Sequence, residues 1–175
     1  MHRAILITFI SMAAIISYFC MLPTHTSAAD ISEPFQIEIL EPTWESLNIG
    51  YDDSTAVGRL MQIANGAKIV ASIPLSKIES YDWANQKLVI SESLYINHHI
   101  FVVRVMGKPK YAGVVLPVES AIAMRYCPVL HSWRVGGKTS LEICPAQLAG
   151  KDLDWGQDNE IKEIFAQNHK LTNSK

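Results

Sequence analysis

The residues with the clearest chemical potential are two cysteines and a histidine. Cys127 and Cys144 are the cysteines that follow the N-terminal apolar stretch, and His131 lies four positions after Cys127. A thiolate beside an imidazole would be a nucleophile with its base. A pair of cysteines outside the cytoplasm oxidises instead, and a Cys127–Cys144 disulfide removes the nucleophile. The disulfide is the expected state. Val129 to Val135 and Thr139 to Ile143 read as a hairpin that would set the cysteines at its open ends, and each precedes a proline, Pro128 and Pro145, which favours extended backbone.

A second group is acidic. From Asp152 to Glu163, carboxylates stand at positions 1, 3, 7, 9 and 12, as oxygen ligands do in a calcium loop that runs into a helix. Asp152, Asp154, Asp158 and Glu163 are therefore weak calcium candidates. Gly156 falls where a ligand belongs, and Gln157 falls where the turn glycine belongs. The simpler assignment is carboxylates gathered at a positive helix start, with Asp158 as the cap. Asp52, Asp53 and Asp82 are the carboxylates a hydrolase without a local signature would use. His98 and His99 are adjacent, so on a strand they point to opposite faces and cannot share a metal. No cofactor is expected and no metal site is assigned.

A third group is aromatic. Trp44, Trp83, Trp133 and Trp155 each lie beside polar or turn residues, which suits rings at the edge of a core with the indole N–H at the surface. Tyr81-Asp82-Trp83, at an expected hairpin tip, is the preferred binding anchor, because Tyr and Trp dominate recognition hot spots. The nucleophile elbow, zinc-helix, phosphate-loop and dinucleotide signatures do not occur in the sequence.

Composition narrows the setting. Across 175 residues, 49% are hydrophobic and 18% charged, which excludes a disordered or coiled-coil chain. The 15 Lys and Arg are interspersed among 17 Asp and Glu, so there is no basic patch for a nucleic acid. Met1-His2-Arg3 precedes an uncharged apolar run from Ala4 to Leu22, and Ala28-Ala29-Asp30 supplies small residues at a cleavage point. Residues 1–29 read as a signal peptide, with an uncleaved anchor as the alternative, since the run approaches the roughly 20 residues that span a bilayer. Cys20 follows two aromatic residues, Tyr18 and Phe19, which does not fit lipid modification. Without Arg3, 14 basic residues face 17 acidic ones, so the exported domain carries a formal −3.

The elements that would position these groups follow from periodicity. Phe35, Ile37 and Ile39 alternate with polar residues as a half-buried strand, and residues 54–64 carry apolar positions at helical spacing before Asn65-Gly66. Lys68–Ile73 and Lys87–Ser91 read as strands. Ile100–Met106 and Tyr111–Leu116, joined by a four-residue turn, read as a hairpin central to the sheet, because both faces are apolar. Residues 117–126 lean to helix, since Pro117 suits a first turn and alanines follow. Gly136-Gly137 turns the hairpin of Val129–Val135 and Thr139–Ile143, and Ile161, Ile164 and Phe165 share one face of a final helix.

These elements predict an α+β fold with a mainly antiparallel sheet of about six to eight short strands and two or three helices. It would form one exported domain, residues 30–175, periplasmic or extracellular. The expected function is that of a non-enzymatic binding or accessory protein presenting a rigid sheet-and-loop surface to a protein or cell-envelope partner. A hydrolase-type enzyme without a recognisable motif is the alternative, and a membrane-tethered structural envelope component is the second. Contact with a membrane would run only through an uncleaved N-terminal segment.

Overall fold

A computed structural model describes residues 33–120, 122, 124–146 and 158–172. In chain order the elements are β1 (Phe35–Thr43), α1 (Ala56–Ile63), β2 (Ile69–Pro74), a 3₁₀ turn (Leu75–Lys77), β3 (Ile78–Asp82), β4 (Lys87–Ile90), β5 (His99–Val105), β6 (Lys108–Pro117), β7 (Val129–Val135), β8 (Lys138–Cys144), α2 (Asn159–Gln167) and β9 (Leu171–Thr172). The strands form a single sheet in the order β2-β1-β5-β6-β7-β8-β4-β3-β9.

That order forces the sheet to curl. β2 and β3 stand seven strand spacings apart, about 34 Å in a flat sheet. Only Leu75–Lys77 joins them, a chain that spans at most about 15 Å. The sheet must therefore roll so that its two ends approach each other. Lys170, just before β9, donates from its ammonium to the carbonyls of Leu75 (2.8 Å) and Ile78, and so ties the last strand to this junction.

Strand alternation then sorts side chains between an inner and an outer face. Phe35, Ile37 and Ile39 of β1, Phe101 and Val103 of β5, Leu88 and Ile90 of β4, and Leu141 and Ile143 of β8 share the inner core with Ile161, Ile164 and Phe165 of α2. Ile100 and Val102 of β5 and Ala112, Val114 and Leu116 of β6 point outward, where Ala56 and Leu60 of α1 cover them. The β5–β6 hairpin is buried on both faces for this reason. A Cβ on Gly113 would run into the Pro128 carbonyl oxygen and lie 2.6 Å from the Phe101 ring, so only glycine lets β7 begin this close to β6.

A buried ion pair fastens α1 to the sheet. Arg104 Nε donates to Glu38 Oε2 at 2.6 Å, and its Nη2 donates to the carbonyl of Ala64, satisfying the end of α1. Gln36 donates to the other Glu38 oxygen at 2.6 Å. The carboxylate of Glu38 is thus held on both oxygens, which its near-complete burial requires.

The expected fold class is corrected in strand number and in sheet type. Among the described residues the sheet has nine strands and two helices, and it is mixed. β6 and β7 pair in parallel from Val114↔Val129 to Pro117↔Ser132, and β3 pairs in parallel with β9. The extra strands carry weak local signals: β3 is interrupted by a bulge between Ile78 and Ser80, and β9 has two residues. The expectation of a helix over 117–126 is also corrected. Pro117 closes β6, and the described residues beyond it form no helix. A parallel partner cannot be reached by a tight turn, so residues 118–128 serve as the crossover to β7. The β5–β6 turn is tighter than expected: Val105 pairs with Lys108, and Met106 and Gly107 take φ of 49° and 75°, the two-residue turn with positive φ at both central positions.

Candidate functional site

The roll has two ends, and they differ in chemistry. At one end α2 lies over the openings of β1, β3 and β6. Phe165 packs its ring 4.9 Å from Phe35 and 4.7 Å from Tyr81, centroid to centroid. Asp158 accepts from the backbone N–H groups of Glu160 and Ile161, as a helix cap does, and from the Tyr111 hydroxyl at 2.9 Å. Lys110 sits 3.2 Å from Asp158 and 2.6 Å from Glu160. Burial alone would raise the Asp158 carboxyl, but the hydrogen bonds from Tyr111 and Lys110 and the Lys110 charge outweigh it and hold it below the usual value. The hydrogen bond to Glu160 likewise raises Lys110 against the effect of its own burial, with Asp158 adding to the rise.

At the other end the connection from β4 to β5, residues 91–98, is drawn into the opening. Thr139, almost wholly buried, donates through Oγ1 to the Glu92 carbonyl at 2.8 Å and accepts from the Leu94 N–H at 3.0 Å. Ser132 donates to Asn97 Oδ1 at 2.9 Å. Ile96 is buried in the inner core and Leu94 packs against it. Beside this plug is a cavity of about 220 Å³ lined by Leu94, Tyr95, Asn97, Ser132, Arg134 and Thr139, with Ile96 beneath and Trp133 at its side. Ser132, Arg134 and Thr139 reach it because they sit on the inner face of β7 and β8, where Ser132 pairs with Leu141 and Arg134 with Thr139.

The rim is aromatic and cationic. Tyr95 is 81% exposed. Trp133 is half-buried and faces the outer side, with the Lys87 ammonium 5.7 Å from its ring. Arg134 is exposed, and its Nη2 reaches the Leu94 carbonyl only at 3.5 Å. Val135, 60% exposed, follows on the outer face and leads into the turn at Gly136-Gly137, whose φ values of 58° and 81° favour glycine.

The residues singled out in the sequence fall elsewhere. Tyr81 is fully buried in the inner core, and Trp83 stacks edge-on against it at 5.8 Å with Lys162 5.1 Å above the indole. Asp82 accepts from the backbone N–H groups of Ala84 and Asn85 and so shapes the β3–β4 turn. Asp53 accepts from the Thr55 hydroxyl and N–H and pairs with Arg59, bonds that lower its carboxyl with the Thr55 hydroxyl first. Asp52 faces Arg125 at 3.5 Å. These three carboxylates are thus engaged in separate local structures.

Cys127 and Cys144 are not bridged to each other in the structure. Burial first, and the Asp53 carboxylate second, push Cys127 up to about 12, so its thiolate is unavailable at neutral pH. His131 lines a second cavity of about 220 Å³ together with Cys144, Met124 and Val118, and its Nδ1 is buried without a hydrogen-bond partner. His98 Nδ1 contacts Glu45 at 2.7 Å, and His99 Nδ1 contacts the Leu40 carbonyl at 2.8 Å. Asp152 and Asp154 lie outside the described residues. Asp158 is the α2 cap, and Glu163 is exposed on that helix. Among the described residues no three His, Cys, Asp or Glu converge as metal ligands do.

Tyr95, Asn97, Ser132 and Arg134 did not stand out in the sequence, because they come from two segments that only the roll brings together. One local signal existed: a Trp-Arg pair immediately before a glycine turn places two hot-spot residue types at a strand end. No family model, no curated protein and no solved structure matches the chain. The reading of the site therefore rests on its geometry.

Proposed function

We propose that the chain is an exported binding or accessory domain that engages a protein or cell-envelope partner through the mouth of the roll formed by residues 91–98 and the β7–β8 hairpin. The observation that carries this reading is the grouping of Tyr95, Trp133 and Arg134 around a cavity whose floor is fastened to the sheet by Thr139 and Ser132. Tyr, Trp and Arg are the residue types that contribute most to recognition. A backbone fixed by buried hydrogen bonds presents them with little ordering entropy to lose on binding. Residues 1–29 would direct the chain to a periplasmic or extracellular site.

Affinity capture from envelope extracts tests this reading, comparing the parent with a Tyr95→Ser, Trp133→Ser double variant of unchanged melting temperature. A partner retained by the parent and lost by the variant is the expected outcome. Equal capture by both would remove the mouth as the interaction surface.

The same setting has Cys127 and Cys144 pair once exported. Val129 pairs with Cys144, so Cys127 lies just beyond the paired end of β7, and both cysteines belong to the outer-face cluster. Thiol titration of the denatured, unreduced exported protein should find none. Reduction should lower stability by about 3 kcal/mol, the value for closing a loop of this length. Two titratable thiols per chain would show that the pair does not form.

A further inference from the structure

Among the described residues, each cation near the mouth but one already has its counter-ion. Lys138 holds Glu79 at 2.5 Å, Lys77 holds Glu92 at 2.8 Å, and Lys87 lies 3.9 Å from Glu142. The wider comparison points the same way. Of the four arginines among the described residues, Arg59 faces Asp53, Arg104 faces Glu38 and Arg125 faces Asp52, whereas Arg134 faces none of the described carboxylates. Its one hydrogen bond among the described residues, the 3.5 Å contact to the Leu94 carbonyl, holds it at the cavity and leaves most of its five N–H groups open to a ligand or to solvent.

The other polar groups of the cavity match this excess of donors. The Thr139 hydroxyl has both given its proton, to Glu92, and accepted one, from Leu94. The Ser132 hydroxyl gives its proton to Asn97 Oδ1, and the Asn97 NH₂ donates to no group among the described residues. The protons still free to be donated at the cavity belong to the Arg134 guanidinium, the Asn97 amide and the Tyr95 hydroxyl, residues that line it beside Leu94 and Ile96. A donor-rich wall against an apolar one recognises an acceptor-only group on a short apolar stem. The space, about 220 Å³, is below the ~300 Å³ at which drug-sized sites begin. It takes one such group.

We infer that the mouth cavity is a carboxylate-binding site, in which Arg134 pairs with a carboxylate carried on a short aliphatic group. The inference rests on the reading of the mouth as the interaction surface and adds the chemistry it recognises. A planar guanidinium suits a carboxylate because two parallel N–H groups meet its two oxygens. The carboxylate could be borne by the end of a partner's chain or by a free small acid, and the experiment separates these sources.

The test follows the Trp133 indole resonance while the protein is titrated with three probes: acetyl-leucine, its uncharged amide acetyl-leucinamide, and 4-methylpentanoate. Both acids should shift the resonance saturably, and the amide should bind weaker by roughly tenfold or more, the range of a charge-assisted hydrogen bond. Arg134→Gln should lose the acid-over-amide preference while keeping the parent's melting temperature, and Arg134→Lys should restore part of it. Tighter binding of acetyl-leucine than of 4-methylpentanoate assigns the site to a chain end, and the reverse order assigns it to a free acid. Either order supports the inference. Equal binding of acid and amide, an unchanged preference in Arg134→Gln, or no shift at saturating millimolar concentration overturns it. If the acids fail while the parent still captures a partner, the carboxylate site falls and the binding-domain reading stands. If the acids bind and no partner is captured, the site stands without that reading.

Discussion

The two ends of the roll are closed by different means. At the α2 end an amphipathic helix caps the opening: Ile161, Ile164 and Phe165 enter the inner core, and Asp158, Lys110, Tyr111 and Glu160 bond to one another around it. At the mouth a connecting segment of irregular backbone closes the opening. Thr139 and Ser132 hold it, yet Tyr95 and Arg134 stay at the surface beside a cavity. A helix satisfies its own backbone groups and can bury a continuous apolar face. An irregular segment needs side-chain partners for its backbone, so hydroxyls and amides are drawn inside. The polar wall that makes the mouth capable of recognition is a consequence of closing it with a loop.

The comparison breaks first at Phe165. Replacing it with Ala removes the ring that bridges Phe35 and Tyr81 and leaves a cavity in the inner core. Chemical denaturation should show a loss of about 3–5 kcal/mol. A loss below about 1 kcal/mol would mean that α2 does not close the core, and the two ends would no longer be distinct in kind.

Thr139→Val tests the mouth's own fastening. The shape of the side chain is kept while the Leu94 N–H loses its acceptor and the Glu92 carbonyl its donor. Unsatisfied buried groups cost about 1–3 kcal/mol. Hydrogen exchange should speed up over residues 91–98 and leave α2 unchanged, which would sharpen the contrast between helix and loop. Uniformly faster exchange would merge the two ends into one cooperative unit.

How far the sequence announces each end depends on how local its determinants are. Asp158 is readable as a cap because the N-cap interaction spans three residues, and Phe35–Ile39 is readable because alternation is a property of the strand itself. The glycines at 136 and 137 mark their turn for the same reason. The roll is not readable in this way. It depends on β2 and β3 standing at opposite ends of the pairing order and on two parallel pairings, and these are relations between distant segments. Tyr81 illustrates the gap. Its residue type and the nearby turn suggest an exposed anchor, but its place in β3 turns it into the inner core against Phe165. Arg134 shows the converse: an ordinary exposed arginine in the sequence becomes distinctive only when the structure shows every other described arginine paired.

A smaller effect is expected at Asp158, where pH gives the sign. The carboxyl lies below the ordinary aspartate value in the folded chain, so the folded state favours the ionised form. Its contribution is complete above pH about 4, near the unfolded value, and is lost as pH falls through the lower folded value. Asp158→Asn keeps a capping oxygen and removes the charge facing Lys110, so the loss at pH 7 should be about 1 kcal/mol. Parent and variant should converge in stability as pH drops below 4. A constant difference across that range would assign the effect to packing rather than to the ionised cap.

The smallest effect should come from the residues given the functional role. Arg134→Gln removes a charge that faces no carboxylate among the described residues, and Tyr95→Ser removes a ring that is 81% exposed. Neither leaves a buried group without its partner, and surface changes of this kind stay within about 0.5 kcal/mol. Their double variant should melt with the parent and retain its far-ultraviolet spectrum. Near-zero stability change is itself informative at this position, because Tyr95 and Arg134 then do little for the fold that positions them. A loss above about 1 kcal/mol would show that Arg134 holds the 91–98 segment in place through Leu94. In that case the mouth would be closed by its charge as the other end is closed by its helix, and the division between a structural and a recognising end would fail.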